Sequence, residues 1–230
     1  MYKMKNNMKK LGILFLLVFL GPVAIMAIKP FEGVITYNIT YPDSKLTESQ
    51  LQMVPKVFTV SVKGTKARTE LSMSTGNQIS IIDYNDKTVT NLINIMGQKF
   101  AIKKTSQDIE KEIAEEPVAK VDVTNETKNI AGYTCKKAII TTVEDGEKTT
   151  LEVFFTTEIG GKGINFDNSL YKDIDGVMME FLEKTPQVMM KFSASSVEKK
   201  SVAMKDFEIP ADYKLTTEEE LKTKFGGGGK

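Results

Sequence analysis

The chain has 230 residues and a net charge of +1, from 31 basic and 30 acidic side chains, with no histidine, no tryptophan and one cysteine. Those counts exclude an intramolecular disulfide, histidine-based triads and most zinc sites. A near-neutral chain without a basic run also carries no electrostatic footprint for nucleic acid. The length suits a single domain with a sizeable core.

Lys3, Lys5, Lys9 and Lys10 precede an uncharged run from Leu11 to Ile28. A basic head, an apolar stretch and then small residues is the layout of a secretory signal. Gly21-Pro22 breaks the apolar helix ahead of a cut after Ala27, which leaves Ile28 first in the mature chain. The competing reading is an uncleaved anchor, because the run is close to the ~18 residues that suggest a span. No cysteine stands directly after the run, so a lipid-anchored lipoprotein is not expected. Residues 1–27 hold four of the 31 basic residues and none of the 30 acidic ones, giving a mature charge of −3. The expected location is outside the cytoplasm, in the periplasm, with peripheral contact to the outer envelope.

Residues 31–41, FEGVITYNITY, alternate in polarity and read as the first mature strand, ended by Pro42-Asp43. Thr47 and Gln50 have capping-box spacing, so a short helix is expected over Glu48 to Met53, stopped before Pro55, with Leu46, Leu51 and Val54 as its stripe. From Val57 to Lys104, turn signals fall at Lys63-Gly64-Thr65, Thr75-Gly76-Asn77, Asn85-Asp86 and Gly97-Gln98. β-prone runs lie between them, and turns every ~8–12 residues mark a meander in a large antiparallel sheet. Ser106 is placed to cap a thinly amphipathic helix carrying Ile109 and Ile113. Weak alternation through Val121 and Val123 then leads to residues 132–157.

That stretch is the clearest in the chain. Two β-rich runs flank Asp145-Gly146, a preferred pair for a type I′ turn. A two-residue turn sets Ile140 opposite Leu151 and Ala138 opposite Val153, with Phe155 extending the same apolar side. Lys137, Thr141, Lys148, Thr150 and Glu152 form the wet side. Cys135 lies in this strand and reads as a small core residue.

Residues 159–163, IGGKG, lack both the Walker spacing and a Ser or Thr after the lysine, so they read as a flexible loop. Two further strands pair across Thr185-Pro186: Val177, Met179 and Phe181 share one face of the first, Val188, Met190, Phe192 and Ala194 one face of the second. Five of the eight mature-chain methionines lie between Met178 and Met204, a residue over-used where varied apolar ligands are accepted. Val202 to Phe207 reads as a last strand closed by Pro210. Thr216 or Thr217 caps a final helix with Leu221 and Phe225 at i, i+4, and 226–230 is a Gly-rich tail. The domain plan is therefore a signal at 1–27, one β domain at 28–225 and the tail.

The fragments FEGVITY, KGTKARTE with Arg68, IIDYNDKTV, IAGYTCKKA at 130–138 and FEIPADY at 207–213 together resemble a secreted, Bacteroidota-type family of unknown function. That family is similar in fold to the LolA/LolB and LppX-type periplasmic carriers of lipoproteins and lipids. Asp212 stands where the family pattern more often has Gly. The resemblance covers about residues 31–214 and implies a strongly curved, half-open antiparallel barrel, mainly β, with two or three short helices on its concave side. It implies no ligand-contacting residues.

The expected function is a non-enzymatic carrier or chaperone for a lipid, an acyl chain or a lipidated protein, held at the apolar concave face without a cofactor or metal. Met179, Phe181, Met190 and Phe192 are the expected ligand-facing residues; no catalytic residue is expected. The alternatives are an envelope interaction module without a cavity and, last, a carboxylate enzyme, which would need two convergent acids in a cleft. For the N-terminus the expectation is direct: sequencing of the envelope protein should read from Ile28, and recovery of intact Met1 in a membrane pellet would replace export with anchoring.

Overall fold

The computed structural model describes residues 31–225 apart from 43, 74, 75, 96, 162, 186 and 187. The expected signal segment with its Ala27–Ile28 cut, the tail 226–230, and Asp43, Thr75, Lys162 and Pro186 lie outside the described residues.

In chain order the strands are β1 (Glu32–Thr40), β2 (Val57–Lys63), β3 (Lys66–Met73), β4 (Gly76–Asp83), β5 (Thr88–Ile95), β6 (Gln98–Lys104), β7 (Lys120–Ile130), β8 (Tyr133–Glu144), β9 (Glu147–Thr156), β10 (Val177–Lys184), β11 (Met189–Lys199) and β12 (Lys214–Thr216). The helices are α1 (Glu48–Met53), α2 (Ser106–Glu115) and α3 (Glu218–Phe225). All twelve strands form one sheet in the order β12-β6-β5-β4-β3-β2-β1-β11-β10-β9-β8-β7. Its ends, β12 and β7, do not pair with each other, so the sheet is open. Neighbours run antiparallel except β12, which lies parallel to β6 and makes the sheet mixed.

The order follows from the turns. β2 through β6 meander, each pairing antiparallel with the next strand in sequence. Between β4 and β5, the Asp83 carboxylate accepts from the backbone N–H of Asn85 at 3.0 Å and Asp86 at 3.3 Å. Between β8 and β9, Asp145 and Gly146 take φ of 50° and 81°, the type I′ signature. Ile140 indeed pairs with Leu151 and Ala138 with Val153.

The sheet curls. Ser80 of β4 and Phe181 of β10 line one cavity although β3, β2, β1 and β11 lie between their strands. At the usual ~4.8 Å between strands, a flat sheet would hold them about 24 Å apart. The largest core fills the curl on the β1, β8–β11 side and includes Ile35, Tyr37, Ala138, Ile140, Val153, Phe155 and Met179. On the β2–β5 side, Ile109 of α2 packs on Val62, Ala67, Ile82 and Val89. At the β6 edge, Leu221 and Phe225 of α3 pack on Phe100 and Ile102.

Four details depart from the sequence reading. The segment 202–207 is not a strand: Val202 is followed by a 3-10 turn over Met204–Phe207. Its backbone is held by side chains instead, with the Val202 N–H donating to Glu32 at 2.8 Å and Lys63 donating to the Val202 carbonyl at 2.7 Å. Val202 and Phe207 thereby bury against Ile81, Leu92 and Ala101 on the convex face. The cap of α2 is Thr105 rather than Ser106, and its hydroxyl accepts from the Asp108 N–H. The helix α1 has the expected bounds and Thr47 capping box but buries no residue fully; its expected stripe, Leu46, Leu51 and Val54, is only half-buried. Finally, β12 was not foreseen; three residues are too few for a readable period. Thr217 caps α3, accepting from the Glu220 N–H at 3.1 Å.

Cys135 is fully buried, and its thiol donates to the Tyr133 carbonyl at 3.5 Å. Burial pushes the thiol pKa up. Mild thiol reagents should therefore leave it unlabelled in the native protein and label it fully in denaturant; rapid native labelling would contradict its place in the core.

Candidate functional site: an apolar cavity on the concave face

The two helices and the β9–β10 connection cover only parts of the concave face. That connection, residues 157–176, is anchored rather than loose. Ile159, Tyr171 and Ile174 are each at most 1% exposed. Asn165 donates to the carbonyls of Ile174 at 2.8 Å and Gly176 at 3.1 Å, and the Tyr171 hydroxyl donates to Leu182. Gly176 has φ of +140°, and a Cβ there would lie 2.3 Å from the Thr156 carbonyl oxygen, so only glycine lets the connection rejoin β10. The stretch 159–163 is a loop, as expected, with Ile159 buried and Gly160 and Gly161 exposed, and it leads into the anchored part of the arch.

Between the arch and the sheet lies a cavity of about 410 Å³. β1 and β2 supply Tyr37, Phe58 and Val60; β3 and β4 supply Thr69, Leu71, Gln78 and Ser80. The opposite wall is Phe181 and Glu183 of β10 with Met190 and Phe192 of β11, and the arch adds Asn165, Asp167 and Asn168. Aromatic rings form the floor. Phe181 and Phe192 are registered opposite each other and stack at 4.8 Å with an interplanar angle of 3°. Phe192 meets Phe58 edge-on at 5.4 Å, and Tyr37 meets Phe58 at 5.6 Å and Phe181 at 6.0 Å. The Tyr37 hydroxyl donates across to the Met178 carbonyl at 2.9 Å, and burial raises its pKa.

Of the four residues expected to face a ligand, Phe181, Met190 and Phe192 line this cavity. Met179 does not. β9 pairs Met178 with Phe155 and then Glu180 with Phe154, so Met179 is the extra residue of a β-bulge. The bulge resets the alternation, sends Met179 fully into the core and puts Met178 on the cavity wall.

Two carboxylates also line the cavity, Asp167 and Glu183. Desolvation raises the pKa of both, and the Asp167 charge adds to the rise at Glu183, while a 3.3 Å hydrogen bond from Asn168 opposes it. Asp167 keeps an exposed flank, so solvent screens it more than half-buried Glu183. Tyr84, also on the wall, has its pKa raised by burial and by Asp167. Glu183 carried a sequence signal, as a charge continuing the apolar phase of Phe181; Asp167, in an irregular segment, carried none.

Residues 31–166 match the family described as a domain of unknown function, DUF4412. The chain belongs to this family. The matched region contains β1 through β9 and the beginning of the arch, hence the Tyr37, Phe58 and Ser80 side of the cavity. The β10–β11 wall, with Asp167 and Glu183, lies beyond it. No curated protein matches the chain.

The bulge separates two neighbouring methionines. Met179→Ala should cost about 2–5 kcal/mol, as expected for a buried methionine, and leave cavity binding in place. Met178→Ala should cost about 1–2 kcal/mol and alter probe affinity. Denaturant melts and probe titrations of both variants check this; equal behaviour would mean no bulge.

Proposed function

We propose that the protein is an exported, non-enzymatic carrier of LolA-like architecture whose concave cavity binds an acyl chain, belonging to a free lipid or to a lipidated protein. The observation that carries this reading is the aromatic-floored cavity of about 410 Å³. Its size falls within the about 300–1,000 Å³ common for small-molecule pockets. Apolar burial supplies the driving force, at ~0.8 kcal/mol per buried methylene, which gives reversible holding without a catalytic group. A solidly packed interaction module would have no reason to leave this space among Phe58, Leu71, Met190 and Phe192.

The acid pair supports a second reading, an enzyme using Asp167 and Glu183 as acid and base. Conversion of a bound ester or glycoside probe, seen as a new product mass, would favour it.

Thr69 sits on the cavity wall opposite Val60 and Ser80, away from the packed floor. Thr69→Trp fills the cavity from a strand position that suits an aromatic residue. Wild-type protein should bind a fluorescent acyl-chain probe saturably, and Thr69→Trp should lose that binding at least tenfold, on the order of 1.4 kcal/mol, with its cooperative melt kept. Absence of saturable wild-type binding to acyl probes and extracted lipids would end the carrier reading.

A further inference from the structure

The cavity is apolar in bulk but not neutral. Among the described residues, Asp167 and Glu183 are the charged side chains on its lining, with no described lysine or arginine beside them there. Three other half-buried acids are paired with lysines. Glu180, on the same strand as Glu183, is held by Lys128 at 3.0 Å and Lys191 at 3.2 Å, and its pKa is lowered. Asp83 is paired with Lys66, and Glu32 with Lys63 at 2.8 Å. Neither Asp167 nor Glu183 forms an ion pair among the described residues, and Glu183 has only the neutral Asn168 amide as side-chain partner. Two unpaired carboxylates on the wall of an apolar cavity disfavour an anionic ligand by like-charge repulsion, and complement a cation next to an apolar chain.

We propose that the cavity's ligand is an apolar chain ending in a protonated amine, with the chain over Phe58, Phe181 and Phe192 and the ammonium group held between Glu183 and Asp167. This rests on the carrier reading and narrows it to a charge class. An ammonium offers three donors, and the two carboxylates with the side-chain amides of Asn165 and Gln78 supply polar partners around the cavity.

The pH dependence follows in sign. The groups acting on Glu183 are Asp167 and Asn168, and those coupled to the pair from the β4–β5 turn and the arch are Tyr84 and Tyr171. Both tyrosines have raised pKa values and stay neutral through the range. The amine stays protonated to about pH 10. Amine preference is therefore present at neutral pH and fades as pH falls through the raised carboxylate values, above the ordinary carboxylate range. In the empty protein the same shifts oppose folding once the acids ionise, because their stability contribution is lost as pH rises through the folded pKa.

The test compares probes of one chain length, below their micelle concentrations, on the mature full-length protein: dodecylamine, dodecanol and laurate. A second arm compares ethanolamine-headed with glycerol-headed lysophospholipid, which separates a free amine from an amine-headed lipid. Dodecylamine should bind about tenfold or more tighter than dodecanol, and laurate weakest, the size expected for a hydrogen-bonded charge contact. The double variant Asp167→Asn/Glu183→Gln should cut the preference to under about threefold while melting no lower than wild type at neutral pH. Thr69→Trp should abolish binding of all three. Equal binding of the three wild-type probes, or an amine preference that survives the double variant, overturns the proposal and leaves the carrier reading standing. If no probe binds, both fall.

Discussion

The stacked pair Phe181–Phe192 is the contact on which most of the structure depends. It locks the register of β10 against β11, and through Phe58 and Tyr37 it reaches β2 and β1. Tyr171 adds an edge-on contact to Phe181 from the arch, at 6.0 Å. Rings from four strands and one connection therefore share a single patch, and they can meet only if the sheet bends toward them. Such pairs add about 0.5–1.5 kcal/mol each beyond area burial. The curvature and the cavity floor are thus the same physical fact.

Once the sheet bends, its two faces have unequal needs. The convex side of β3–β6 is covered by the irregular segment from Val202 to Tyr213, anchored through Glu32, Lys63 and Arg68. The concave side narrows inward and is covered in pieces by α2, α3 and the arch. Lys104 ties two of these pieces, reaching Glu112 of α2 at 2.8 Å and Glu218 of α3 at 3.1 Å. None of the three covers reaches the wall of Thr69, Leu71 and Ser80, and that is where the open volume remains. Bending also brings the β10 carboxylate Glu183 and the arch carboxylate Asp167 to a common space, where Glu183 loses part of its water, Asp167 keeps an exposed flank, and neither gains a cation among the described residues.

The comparison with the sequence is instructive at particular residues. Hairpin registers were legible because Asp145-Gly146 fixes turn geometry, and a period of two then assigns every facing pair. The bounds of α1 were legible, and the α3 cap was narrowed to Thr216 or Thr217, because capping is a contact between residues three apart. Three cavity residues, Phe181, Met190 and Phe192, were legible from alternation alone. Met179 was misplaced because one inserted residue reverses the phase, and a bulge leaves no mark in composition. Asp167, Asn165 and Asn168 were missed because irregular backbone has no period from which to read a face.

Local chemistry in the sequence by itself determined the mainly-β class, the order of the meander, the α1 cap and the absence of histidine-based chemistry or an intramolecular disulfide. These rest on interactions between residues a few positions apart. The tertiary structure alone decided that the ends of the sheet stay unpaired, that β12 joins in parallel, that the 157–176 arch is packed, and that an apolar cavity holds two unpaired acids. Each of those depends on residues far apart in the chain, such as Tyr37 and Met178 or Glu32 and Val202, whose meeting is set by how the whole sheet curls and not by any local preference.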